Sequence, residues 1–242
     1  MTLKVIGSNS DGNSYILEND TEALLIEAGV RFPFIKQALN FNLSKVQGAV
    51  ITHSHQDHCK AAKDLLTAGI KVYATAGELA AMQLPSHHRI NIIKSGKELY
   101  VGNFKILPFE IKHDTPEPVG FLIYHRDCGT VLFLTDSYYS PFVFEGLNNL
   151  IVECNYCADI INSNGTPDFL KNRIARSHMN LDTCKGFLSA NNLSQVNNIV
   201  LIHLSNDNSD AKRIKKEVTE LTGKNVHIAC AGLTIEFNKQ PI

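Results

Sequence analysis

The sequence predicts an α/β protein, a four-layer αββα sandwich in which two sheets lie face to face and helices cover their outer sides. Three observations predict it. Short apolar runs recur along the whole chain, with helical patterns between many of them. The stretch from 90 to 134 is strand-like throughout. Polar clusters sit at the ends of the apolar runs, where layered α/β proteins gather their ligands. No linker, low-complexity tract or internal repeat interrupts the 242 residues, so one continuous domain, 1–242, is expected.

Leu3 to Ile6, Tyr15 to Glu18 and Ala23 to Glu27 read as opening strands. Phe32 to Leu39 reads as a helix with Pro33 in its first turn, where a missing N–H costs nothing. Ala49 to Thr52 is a buried strand. Ala61 to Ala68 is helical, closed by Gly69. Lys71 to Ala74 is a strand, and Ala76 to Leu84 a helix stopped by Pro85. Strands follow at Ile92-Ile93, Glu98 to Val101, Phe104 to Ile111, Phe121 to Tyr124 and Val131 to Leu134, with Asp127-Cys128-Gly129 as a hairpin turn. Leu150 to Glu153 is a strand, and Asp168 to Ile174 and Asp182 to Ser189 are helices. Asn198 to Ile202 is a strand, Asp210 to Leu221 a helix, and Val226 to Ala229 and Leu233 to Phe237 are closing strands.

Composition narrows the class. Hydrophobic residues make up 44% and charged residues 19%, the balance of a soluble globular protein with a sizeable core. A net charge of −1 gives no global basic field for wrapping nucleic acid and leaves room only for a local basic groove. No run approaches the roughly 20 apolar residues that span a membrane. The N-terminal stretch from Met1 to Gly7 is too short for a signal peptide and reads as a strand. A cytoplasmic protein with reduced thiols is therefore expected. Cys154-Asn-Tyr-Cys157 has the C-x-x-C spacing but no second pair nearby, so plain thiols are preferred there to a zinc or redox site. Cys59 is expected as a small buried residue.

His53-Ser-His55-Gln-Asp57-His58, directly after Ala49-Val50-Ile51, is the sharpest signal in the chain. Three imidazoles and a carboxylate crowded at a strand mouth are costly to hold together unless a cation binds them. Neutral imidazole and carboxylate suit zinc, manganese and iron. His53 and His55 alternate on an extended segment and point the same way. Asp57 and His58 follow where the chain turns, and face a second point. One loop thus supplies donors for two metals side by side. A dinuclear site needs about six or seven protein donors. The remainder are expected at the ends of other apolar strands: His113 after Phe109-Glu110-Ile111-Lys112, Asp136 after Val131 to Thr135, and His203 after Ile199 to Ile202.

On these residues the chain resembles the metallo-β-lactamase fold superfamily. The resemblance implies one metal on His53, His55 and His113, a second on Asp57, His58 and His203, and Asp136 as the bridge. Aspartate rather than cysteine at the bridge is similar to the phosphodiesterase, ribonuclease Z and glyoxalase II side. Further blocks resemble the YycJ/WalJ-like branch: the loop from Gly7 to Tyr15, His113-Asp114 with Pro118 to Phe121, Arg176-Ser177-His178-Met179-Asn180, and His203-Leu204-Ser205 with Asn208. Two departures stand out. Tyr138-Tyr139 follow Ser137 where relatives carry a small residue and a glycine, which bears on substrate approach. Met179 replaces a leucine of similar volume.

The resemblance implies a dinuclear hydrolase of phosphodiester bonds, a DNA exonuclease first of all, in which a bridging hydroxide attacks phosphorus. Two divalent metals are expected, zinc foremost with manganese or iron as alternatives. Nucleic acid, DNA foremost, or a small phosphodiester is the expected substrate, with DNA and RNA not told apart by the sequence. Asp57 and His178 are expected to carry the chemistry, His178 as the acid for the leaving oxygen. The bland reading of His178 is a helix-start or supporting histidine. Competing functions are a thioester or lactone hydrolase using the same metals, and a metal-binding protein without catalysis. Several features keep two readings. The Gly7 to Ser14 loop is either a hairpin connection or an anion-binding nest. Ser205 either meets substrate or caps a helix, and Asn208 is expected to cap the following helix. Lys60, Lys63, Arg173 and Arg176 either line a backbone-tracking groove or are solvated, as is expected of the basic run Lys212 to Lys216. His87, His88, His125 and His227 are expected to be ordinary histidines.

Overall fold

Alternation within single strands sorts the side chains into layers. The computed structural model describes residues 1–240. Its first half comprises β1 (Thr2–Gly7), β2 (Ser14–Glu18), β3 (Ala23–Ile26), α1 (Phe32–Ala38), β4 (Val46–Val50), α2 (Gln56–Cys59), α3 (Ala62–Thr67), β5 (Val72–Thr75), α4 (Ala76–Ala81) and β6 (Ile90–Ile93). The second half comprises β7 (Leu99–Val101), β8 (Phe104–Glu110), β9 (Val119–His125), β10 (Gly129–Leu134), β11 (Leu147–Glu153), α5 (Ala158–Ser163), α6 (Asp168–Ser177), α7 (Leu181–Ala190), β12 (Asn198–Ile202), α8 (Ala211–Thr222), β13 (Asn225–Ile228) and β14 (Thr234–Glu236).

The strands form two sheets, ordered β14-β1-β2-β3-β4-β5-β6 and β13-β12-β11-β10-β9-β8-β7. In β10, Val131 and Phe133 face the other sheet, where they join Leu3, Tyr15, Phe104 and Phe121 in the central core. Leu132 and Leu134 face outward, under Phe187 and Leu188 of α7 and Ile214 and Val218 of α8. The first sheet is covered likewise, with Ile16 and Leu25 packed under Ile35 of α1 and Leu65 of α3. This is the αββα sandwich that the sequence predicts. Burial at roughly 25 cal/mol per Å² of apolar surface is what drives the layers together.

Strand direction then places the site. β3 to β6 run parallel, and so do β10 to β13. β8 also runs the same way as β10, because each is antiparallel to β9 between them. The C-terminal ends of β4, β8, β10, β11 and β12 therefore open on one edge of the sandwich.

Two short helices, α2 and α5, are absent from the sequence reading. At four and six residues they are too short to show a period. α4 ends at Ala81, earlier than its pattern, before a left-handed Gln83.

Candidate metal centre

All seven expected donors follow strand ends or sit on the turn beyond them, and they meet at the shared edge. His53 and His55 leave β4 in extended backbone, and Asp57 and His58 lie in the single turn of α2, with His55 at its N-cap. His113 follows β8, Asp136 follows β10 and His203 follows β12. Asp136 and His203 adopt left-handed backbone, with φ of 46° and 56°. Such strain in a non-glycine residue is tolerated where the surroundings hold the residue to a task, here turning the side chain inward.

The donors fall into groups whose ligand atoms lie within 4.8 Å of one another: His53, His55, His113 and Asp136 form one, Asp57, His58 and His203 another, and Asp136 and His203 form a third with Glu153 and His178. Asp136 links the first two. Its Oδ2 is 3.6 Å from His53 Nε2, 3.7 Å from His113 Nε2 and 3.5 Å from His58 Nε2. Asp57 Oδ2 lies 3.3 Å from His58 Nε2 and 3.4 Å from His203 Nε2. The structure thus brings the sequence-predicted set together in two clusters around one carboxylate.

The opposite ring nitrogens of His53 and His203 are tied down. His53 Nδ1 pairs with Thr52 Oγ1 at 2.9 Å, and His203 Nδ1 with Glu153 Oε1 at 3.0 Å. His58 Nδ1 faces Glu27 Oε2 at 3.4 Å. Glu78 accepts from the Ser54 and Glu117 N–H groups, fixing the loops that carry His53, His55 and His113. Asn13 Nδ2 lies 3.2 Å from Asp57 Oδ2. Ser8 Oγ accepts from His203 N at 3.0 Å. Outer partners of this kind orient imidazoles and raise their basicity as ligands. Glu27, Glu78 and Glu153 are fully buried and lie outside the sequence reading. Glu27 and Glu153 each end an apolar strand, the same signal that marks Asp136 and His203.

The residues fit divalent cations. His53 Nε2 is buried without a hydrogen-bond partner, and it points into the first cluster. A buried polar atom left unpaired is costly, and a cation would pair it. Burial pushes the pKa of His53 and His113 below the ordinary histidine value, so both favour the neutral form that binds metal. Burial also opposes charge on His203, yet Asp136, Asp57 and Glu153 outweigh it and lift its pKa to about 10. His58 is lifted in the same way, by Asp136, Asp57 and Glu27 against its burial. Protons on these imidazoles balance the crowded carboxylates. Divalent cations would take over that role, with release of the protons.

His178 closes the set. It is the C-cap of α6 rather than a helix start, its Nδ1 bound to Glu153 Oε1 at 2.8 Å and its ring stacked on His203 at 5.2 Å. Burial lowers its pKa, but the Glu153 charge and hydrogen bond prevail and raise it. It lines a cleft of about 300 Å³ with Asp57, Asp136, Ser205 and Arg173.

Other expectations sort cleanly. In the Gly7 to Ser14 loop, Gly12 N bonds Asn9 O and Asn13 N bonds Asp57 O, which ties the loop to the histidine motif, while Ser10 lines the cleft. Gly29 lies so close to that motif that a Cβ there would stand 1.6 Å from Asp57 O. Asn208 is not the cap of α8. That is Asp210, whose side chain accepts from Lys212 N and Arg213 N, while Asn208 bonds Ser205, Asn164 and Thr166. Lys60 is spent on Asp11 O. Tyr138 and Tyr139 are exposed, and Met179 is fully buried in the helix-side core. Among the described residues, no cysteine belongs to a cluster able to hold a metal, and His87, His88, His125 and His227 stand outside those clusters. No described helix is long and apolar enough to cross a membrane.

Comparison with known proteins shows the family and the fold. Residues 8–151 match the Metallo-beta-lactamase superfamily. The chain is similar to exodeoxyribonuclease YycJ of Bacillus anthracis, 26% identical over 233 residues, spanning 90% of this chain and 87% of that one. It is similar to exodeoxyribonuclease WalJ of Streptococcus pneumoniae, 25% identical over 221 residues, spanning 85% and 82%. Its fold matches that of the metallo-β-lactamase fold protein YhfI from Bacillus subtilis, with a TM-score of 0.74 at 19% identity over 97% of this chain and 99% of that one.

Proposed function

The chain belongs to the metallo-beta-lactamase superfamily and is a hydrolase of it; on that premise we propose that it cleaves phosphodiester bonds in DNA, as an exonuclease with two divalent cations at the strand-end cluster. The observation that carries this reading is the pairing of a seven-donor cluster with a further, carboxylate-held histidine beside it in one cleft. His53, His55 and His113 would hold one cation, Asp57, His58 and His203 the other, and Asp136 both. Zinc suits this donor set, and manganese and iron also fit it. Two such cations lower the pKa of solvent and offset charge on phosphoryl oxygens.

The chain's own groups supply the rest. Glu153 accepts from His178 Nδ1 and so leaves Nε2 as the nitrogen facing the cleft. From there His178 protonates the leaving oxygen, a demand that a phosphodiester makes and a thioester largely does not. The names of the relatives, exodeoxyribonucleases of similar length, support DNA as the polymer.

The test is hydrolysis of bis-p-nitrophenyl phosphate and of end-labelled single-stranded DNA by protein loaded with zinc or manganese. Metal-dependent cleavage of both, abolished in Asp136→Ala, is expected, with a product ladder that reveals the preferred end. His178→Ala is expected to lower turnover about 100- to 10,000-fold at unchanged metal content. No cleavage by protein carrying two metals per chain would refute the reading and redirect the search to thioesters and lactones.

A further inference from the structure

One wall of the cleft is made by α6, which contributes Leu170, Arg173, Ile174 and Ser177 from one face. The helix is anchored at its C-terminal end, where Ser177 O lies 3.1 Å from His113 Nδ1 and His178 is bound to Glu153. Elsewhere Leu170, Lys171 and Ile174 are half-buried and the other side chains are exposed, for Ser177 is its one buried residue. At the free end is Phe169, 76% exposed, the most exposed large apolar side chain among the described residues.

A lone exposed apolar residue needs no explanation. Phe169 is not alone. Phe169, Arg173 and Arg176 are spaced i, i+4 and i+7, so they line up along one stripe beside the cleft-facing side chains. The one ion pair on the helix among the described residues joins Lys171 to Asp168 at 3.4 Å. Both arginines are thus left without a carboxylate and free to meet an anion.

We propose that this stripe is the docking track for a single strand of nucleic acid entering the metal centre. An aromatic face followed by guanidinium groups matches a chain that alternates flat bases with charged phosphates. The base stacks on Phe169 and the backbone phosphates lie on Arg173 and Arg176. A duplex keeps its interior base faces stacked on each other, so away from its ends it offers Phe169 none. From Phe169 to Ser177 the helix rises about 12 Å. Phe169 therefore holds a nucleotide beyond those flanking the cleaved bond. The inference rests on the phosphodiesterase reading above.

Binding of fluorescein-labelled, phosphorothioate-linked oligonucleotides to the metal-loaded protein, followed by anisotropy, tests it. Phe169→Ala is expected to weaken a single-stranded decamer at least fivefold, and Phe169→Trp to restore it. The ratio of decamer to dinucleotide affinity falls in Phe169→Ala, because the shorter ligand does not reach that side chain. Arg173→Ala is expected to flatten the slope of log affinity against log salt by about 0.7. Equal decamer affinity for wild type and Phe169→Ala would overturn the proposal. So would a duplex decamer that is bound as tightly as the single strand and weakened as much by Phe169→Ala. A change in sedimentation of Phe169→Ala at constant affinity would also overturn it, in favour of self-association through α6. Wild-type hydrolysis of bis-p-nitrophenyl phosphate separates the two levels. If it occurs while these signs are missing, the track alone is wrong. If it and oligonucleotide binding are both missing, the phosphodiesterase reading has failed and the track with it.

Discussion

Glu153 serves two imidazoles at once. Its Oε1 lies 2.8 Å from His178 Nδ1 and 3.0 Å from His203 Nδ1, and its Oε2 accepts from the N–H groups of Ser137 and Met179. Burial pushes its carboxyl up, but the two histidines outweigh burial and hold it ionised below the usual carboxylate range. A neutral amide would keep the shape and lose the charge. Glu153→Gln is therefore expected to cut kcat about 10- to 100-fold, with metal content by mass spectrometry falling less than activity. Equal losses of metal and activity would mean that Glu153 acts through His203 alone. The same residue shows how far the sequence was legible. The seven residues that converge at the strand ends were readable because histidine and aspartate at the mouths of apolar strands are rare and chemically loud. Glu153 and Glu27 end apolar strands too, but a lone glutamate there reads as a solvated end. Only the fold reveals that it is buried against a histidine from another strand.

Strands and long helices were legible as elements because burial imposes a period on them. β12 spans Asn198–Ile202, as the apolar run indicates. α2 and α5 carry no period over one turn, and α2 forms because Asp57 and His58 must turn back toward the second cluster. Caps were less legible. Around α8 the sequence offers Asn208, Ser209 and Asp210 in a row, each a good N-cap residue. Asn208 is diverted to Ser205, Asn164 and Thr166, and Asp210 takes the cap. Asp210→Ala is expected to cost about 1 kcal/mol, seen as a lower urea midpoint at constant slope, because α8 packs Ile214 and Val218 into the outer core. Asn208→Ala should leave the helix capped. If it lowered the midpoint by as much as Asp210→Ala does, the cap assignment would be wrong.

At the scale of the whole molecule, the metal centre is also a seam. His53, His55, Asp57 and His58 come from the first sheet, and His113, Asp136 and His203 from the second. A cation held by both sides links them in the folded state and has no preformed site in the unfolded chain. By mass action, a ligand at about a thousandfold its Kd stabilises the fold by about 4 kcal/mol per site. In a chain of this size that raises Tm by about 8–16 °C per site. Manganese is the better probe, since the chain's six cysteines would let thiophilic zinc bind the unfolded state and mask the shift. Chelator-treated protein is therefore expected to melt well below the manganese-loaded form, with recovery on adding metal. Asp136→Ala, which removes the one carboxylate shared by both clusters and leaves each with three donors, should gain distinctly less from manganese than the wild type. An equal rise in that variant would mean that Asp136 is not shared between the cations, and that no metal bridge through it joins the two sheets.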